Sequence, residues 1–165
     1  TLGEKVPEGK HPMPVTSAAQ IAEHRIVGDE EMESIVQRTD TFSWSKNTGL
    51  ALFNGVEEVV LVGDKNMSED LPASKLSWSH GFVVRGLKLL SDAIVPEHIR
   101  YEEEVIFVQQ GQLDITVDGE TLTLSKGDTF TTPIESVRKF EQKGQSDCIL
   151  YITRRNDYPK APKFI

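Results

Sequence analysis

The chain has 165 residues, 38% hydrophobic and 27% charged, which suits one globular domain with a full core and is too apolar for a disordered chain. A net charge of -8 argues against nucleic acid as a partner, since a phosphate backbone calls for a basic surface. A small anion stays open as a ligand, because the local charge of a pocket can oppose the net charge.

The lone cysteine, Cys148, sits in an apolar run, so no intrachain disulfide can form and a small buried core residue is expected there. A reducing, cytoplasmic setting is the matching expectation. No apolar run is long enough to cross a membrane, and the N-terminal stretch has no signal-peptide core, so no membrane partner is expected.

In chain order, residues 1–40 read as an arm with short helices. Its proline-rich start is extended, Ser17 with Gln20 forms a capping box for a helix over about 17–25, and Asp29 caps a second with Met32, Ile35 and Val36 on one face. His11 and His24 read as surface histidines. From Thr41 the pattern turns to strands, with Phe42 and Trp44 alternating with polar residues. The runs 49–53 and 56–62 flank Asn54-Gly55, which predicts a hairpin. A polar loop over 66–75 leads to a strand over 78–90. Val105 and Phe107 would face outward if Glu104, Ile106 and Val108 face inward, and such an apolar outer face needs a cover. A two-fold homodimer is expected to provide it. Residues 113–117 and 121–124 alternate around Asp118-Gly119, a second predicted hairpin. Residues 148–153 read as a closing strand and 156–165 as a surface tail. The body over 41–155 is thus an all-β sandwich or barrel.

The stretch from Pro96 to Phe140 carries a more specific pattern. His98, Arg100, Glu104 and Gly111 are spaced like the first motif of the cupins: Gly, five residues, His-x-His, three or four residues, Glu, six residues, Gly. Gly127, Pro133 and Arg138 follow the second motif: Gly, five residues, Pro-x-Gly, two residues, His, three residues, Asn. The chain therefore resembles the cupin superfamily over about its last two-thirds, which implies a double-stranded β-helix, or jelly-roll barrel. It departs from the motifs at Arg100 and Arg138, which replace histidines, at Asp92 and Glu135, which replace glycines, and at Gln142, which replaces the asparagine.

In the resemblance, the four motif positions converge inside the barrel, where three histidines and a glutamate can hold a divalent metal. Here only His98 and Glu104 have lone pairs to offer, because a guanidinium has donors only. The expectation is a barrel without a metal cofactor, a divalent metal being the alternative. Three readings of Arg100 and Arg138 stand side by side: an ion pair with Glu104 inside the barrel, a side chain turned to the mouth and solvated, or a bidentate fork for a planar anion such as a carboxylate. With His98 neutral, these four residues sum to about +1 at reference pKa values. Arg85, between Val83 and Leu87, faces either the same interior or the surface. Glu102 and Glu103 read as a solvated face. His98 is either a buried, hydrogen-bonded histidine or, with Glu104 as its orienting carboxylate, a general acid or base. His80 is an ordinary surface histidine or a substitute ligand at the mouth, and Tyr101 and Tyr151 are core residues or hydroxyl donors to a ligand.

Together these readings imply binding of a small carboxylate-like anion in a metal-poor barrel, with or without turnover. A metal-dependent dioxygenase, isomerase or lyase and a non-catalytic structural or interaction module are the alternatives.

Overall fold

The computed structural model describes residues 33–46, 49–63, 71–72, 74–76, 81–155 and 160–165. The expectations for the first helix, for His11, His24 and His80, and for most of the 66–75 loop lie outside these residues; of the second helix only the end is described, Glu33 and Ser34, after which Ile35 is an exposed turn residue and Val36 lies outside the helix. Two five-stranded sheets face each other. The first has the order β1 (Val56–Val62), β2 (Phe82–Leu89), β9 (Cys148–Arg155), β4 (Glu104–Gln110), β7 (Thr129–Thr132). The second runs β10 (Lys163–Phe164), β3 (Ile94–Ile99), β8 (Arg138–Glu141), β5 (Gln112–Val117), β6 (Glu120–Ser125). Every strand pairing is antiparallel, and apart from the β1–β2 and β5–β6 pairs successive strands alternate between the sheets, which winds the chain into a jelly roll.

Period-two alternation drives this arrangement. Along β4, Glu104, Ile106 and Val108 are buried while Val105 and Phe107 are exposed, as the sequence predicts. Along β9, Cys148, Leu150, Ile152 and Arg154 are all buried. These inward positions, with Leu87, Leu89, Val95, Leu113, Ile115 and Phe140, make one continuous apolar core. At its upper end the inward residues turn polar, so the barrel holds an apolar layer and a charged layer.

The β5–β6 hairpin closes at Asp118 (φ 48°) and Gly119 (φ 87°), two left-handed residues that match the twist of the flanking strands. Gly111, also left-handed at φ 77°, sits where an added Cβ would lie 2.6 Å from the Asp147 carbonyl oxygen, so the chain can cross between sheets only with glycine there. Asp92 and Glu135, which stand where the motifs have glycine, keep the left-handed backbone at φ 62° each. A non-glycine residue pays about 1 kcal/mol or more for that conformation. Glu135→Gly is therefore expected to raise stability by roughly 1 kcal/mol in urea unfolding, and an unchanged or lower midpoint would contradict this.

Three expectations are corrected. Residues 49–53 do not form a strand: Gly49–Leu52 is a 3-10 turn, and Asn54-Gly55 leads from it into β1 rather than capping a hairpin. The cause is Glu58, whose Oε2 accepts the Leu50 N–H (3.1 Å) and so takes a donor that a strand ladder would need. Residues 42–44 do not form a strand either; the one bridge near them is between Ser45 and Glu58. Finally, the C-terminal residues are more than a surface tail. Lys163–Phe164 pair with Ile99 and His98 of β3, and the Phe164 ring packs on Phe53 (5.0 Å) across the seam between the sheets.

Candidate functional site: a buried arginine–glutamate layer

Strand register assembles the charged layer. Glu104 on β4 lies directly opposite Arg154 on β9 on one side and Thr132 on β7 on the other. His98 on β3 lies opposite Arg138 on β8. Arg85 on β2 shares the inward face of Leu87 and Leu89, and Glu58 that of Val56. Arg100 and Glu102 follow the end of β3. His98, Arg100, Glu104, Arg138, Arg85, Arg154, Glu58 and Glu102 are all buried.

Glu104 is the hub. Its Oε2 accepts from Arg154 Nε at 2.6 Å, and its Oε1 accepts from Arg138 Nη1 at 3.3 Å and from Thr132 Oγ1 at 3.4 Å. Burial alone would push the Glu104 carboxyl up, but Arg154, Arg100 and Arg138 outweigh it and bring its pKa to about 2. Arg138 is fully engaged. Beyond Glu104 it donates to Thr132 Oγ1 (2.8 Å), the Pro133 carbonyl (2.8 Å), and the Ser136 carbonyl and hydroxyl (3.2 Å each). Arg138 thus ties the 133–136 loop to the barrel, and the ion-pair reading of this residue holds. Arg85 faces the interior and donates to Glu58 Oε1 at 3.2 Å.

Arg100 differs from the other three. It is 3% exposed, yet its Nε and Nη2 have no hydrogen-bond partner among the described residues. Burial, reinforced by the charge of Arg154, lowers its pKa to about 9, so it stays a cation at neutral pH in surroundings that disfavour one. Glu102 Oε2 is likewise unpartnered among the described residues, while its Oε1 accepts the Lys160 N–H at 2.7 Å.

His98 bonds through Nδ1 to the Pro96 carbonyl at 2.8 Å, not to Glu104. Of the two readings of His98, the buried, hydrogen-bonded histidine holds, and its pairing with Glu104 as an orienting carboxylate does not, because both carboxylate oxygens are taken by arginines. Phe140 and Phe164 stand 5.4 and 5.5 Å from the imidazole, and burial lowers its pKa to about 4. Its Nε2 is buried without a partner among the described residues.

Sequence reasoning missed Arg154 and Glu58 and misplaced Glu102, which is buried rather than solvated; Glu103 is exposed as expected. Arg154 was findable, because it continues the inward series Cys148, Leu150, Ile152. Tyr101 is exposed beneath the Lys160 ammonium and Tyr151 lies on the outer face of β9, so neither is a core residue or a part of this layer. Cys148 is buried, and burial pushes its thiol up to about 12.

The donor set does not fit a divalent cation. Of the four motif positions only His98 and Glu104 have lone pairs, and those of Glu104 already accept from guanidinium groups. Among the described residues no three His, Cys, Asp or Glu side chains gather at one point. Two clefts, of about 350 and 310 Å³, lie beside residues 51–57 and between Gln37 and Ser74, away from the charged layer.

Residues 89–153 match the family model of the cupin domain (Cupin_2). No curated protein matches the sequence. Among solved structures, the polyketide cyclase RemF from Streptomyces resistomycificus superposes with a TM-score of 0.62 at 12% identity, over 79% of this chain and 86% of that one. A cupin-2 domain protein from Rhodospirillum rubrum gives 0.60 at 11% identity, over 79% of each chain. The Cnp3 cupin domain from Schizosaccharomyces pombe gives 0.57 at 14% identity, over 74% of each. At these identities the structures share the fold and nothing finer. With two antiparallel sheets wound as a jelly roll and the motif positions gathered inside, the chain has the cupin fold, and its residues 89–153 are similar to the cupin domain.

Proposed function

We propose that the barrel binds a small carboxylate on Arg100, in a site that takes no resident metal. The observation that carries this reading is the pair of Arg100 donors left over. Nε–H and one N–H of Nη2 point the same way along one edge of the guanidinium, and that edge matches the two oxygens of a carboxylate. Both atoms are buried and without partners among the described residues. Leaving a charged donor so placed costs on the order of 1–3 kcal/mol or more per group. A bound anion removes that cost and offsets the buried charge.

Arg138 and Arg154 support the reading by being spoken for. Arg138 and Arg154 hold Glu104, and Arg85 holds Glu58. They build the walls, and Arg100 faces the ligand. The rival of a merely packed barrel draws support from the clefts, neither of which is lined by the charged layer.

The test is a calorimetric titration of the protein with propionate, in wild type and in Arg100→Met. Wild type should bind, and Arg100→Met should weaken binding at least about tenfold, the effect of losing charge-assisted hydrogen bonds. Equal binding by the two proteins, or none by the wild type, contradicts the reading. Elemental analysis of protein purified without chelator tests the other half: a full equivalent of zinc, iron, nickel or manganese held by His98 and Glu104 would contradict it.

A further inference from the structure

We infer that the ligand is a hydroxycarboxylate, whose carboxylate sits on Arg100 and whose hydroxyl donates to His98 Nε2. This rests on the carboxylate reading and adds the second half of the ligand. The Pro96 carbonyl can only accept, so the 2.8 Å contact at Nδ1 fixes the His98 proton on Nδ1 and leaves Nε2 as a bare lone pair. Rings flank the imidazole, Phe140 edge-on and Phe164 tilted, and supply no polar partner. His98 is fully buried, and Nε2 finds no donor among the described residues. Burial also holds the imidazole neutral at physiological pH, since its pKa falls to about 4.

An unmet acceptor thus stands two residues along the chain from an unmet pair of donors. Both side chains are buried inside the barrel, close enough for the Arg100 charge to act on the imidazole, so a small acid of about three carbons is the size of ligand to set between them. A plain carboxylate satisfies Arg100 but leaves the His98 lone pair facing a methyl group. A second carboxylate would set negative charge against that lone pair. A hydroxyl satisfies it. Glu102 Oε2, buried and unpartnered near Arg100, offers a further acceptor for the same kind of group. A site with buried polar atoms built for a hydroxyl rejects the analogue that lacks one.

The experiment compares L-lactate and 3-hydroxypropionate with propionate, all three-carbon acids, on the full chain. Binding is measured by calorimetry, and the His98 ring nitrogens are followed by ¹⁵N NMR. At least one hydroxy acid should bind about tenfold or more tighter than propionate, the worth of one buried hydrogen bond. The Nε2 resonance should shift with that acid and stay in place with propionate. His98→Leu should bring the two acids to equal affinity, and if that variant does not fold, the wild-type comparison and the NMR signal decide alone. Propionate binding as tightly as both hydroxy acids, or an unmoved Nε2 resonance, overturns this inference and leaves the carboxylate reading standing. Failure of all three acids to bind overturns both.

Discussion

Replacing Glu104 with leucine is expected to cost about 3–5 kcal/mol in urea unfolding, the penalty for stranding buried charges that have lost their partner. Glu104 receives Arg154 and Arg138 directly, and Arg100 adds a third favourable charge. Without it, Arg154 loses its 2.6 Å contact inside the barrel. Arg138 fares better, because Thr132, Pro133 and Ser136 still accept from it. Most of the cost is therefore borne by Arg154, and adding Arg154→Met to Glu104→Leu should recover part of it. A loss below about 1 kcal/mol, the size of an exposed ion pair, would show that the layer is wet and loosely held.

Acid should unfold the protein in two stages. His98 has a pKa of about 4 in the folded chain against 6.5 ordinarily. The unfolded chain takes up that proton first, so the stability is complete above pH 6.5 and drains as the pH falls to 4. Glu104 moves from 4.5 to about 2, so its contribution is complete above pH 4.5 and drains as the pH falls to 2. Each window is worth about 3 kcal/mol. Urea midpoints measured between pH 7 and 3 should fall through both windows, and His98→Phe should flatten the upper one. A constant midpoint from pH 7 to 5 would contradict the buried, neutral histidine.

The sequence made the barrel legible where alternation was strict. Glu104, Ile106 and Val108 show their inward face by spacing alone, and Asp118-Gly119 marks its own turn. The motif spacing brought His98, Arg100, Glu104 and Arg138 into one layer. What it could not show was how four guanidinium groups would share the buried carboxylates. Arg154 lies 50 residues from Glu104 and meets it only through the β4–β9 register. Glu102 sits past the end of β3, where no period applies, and its burial depends on the returning C-terminal segment at Lys160. The 49–53 run misled for a related reason: its apolar residues suit a strand, but the Glu58 side chain captured the Leu50 amide. Local pattern fixed directions of side chains, and long-range pairing decided which charges were left over.

Unbiased difference density from a crystal soaked in L-lactate tests the central claim most directly. The account predicts a planar carboxylate with its two oxygens at about 2.7–2.9 Å from Arg100 Nε and Nη2, with Glu104 still held by Arg138 and Arg154. A metal peak ligated by His98 and Glu104, or a protein side chain already filling the Arg100 edge, would contradict it.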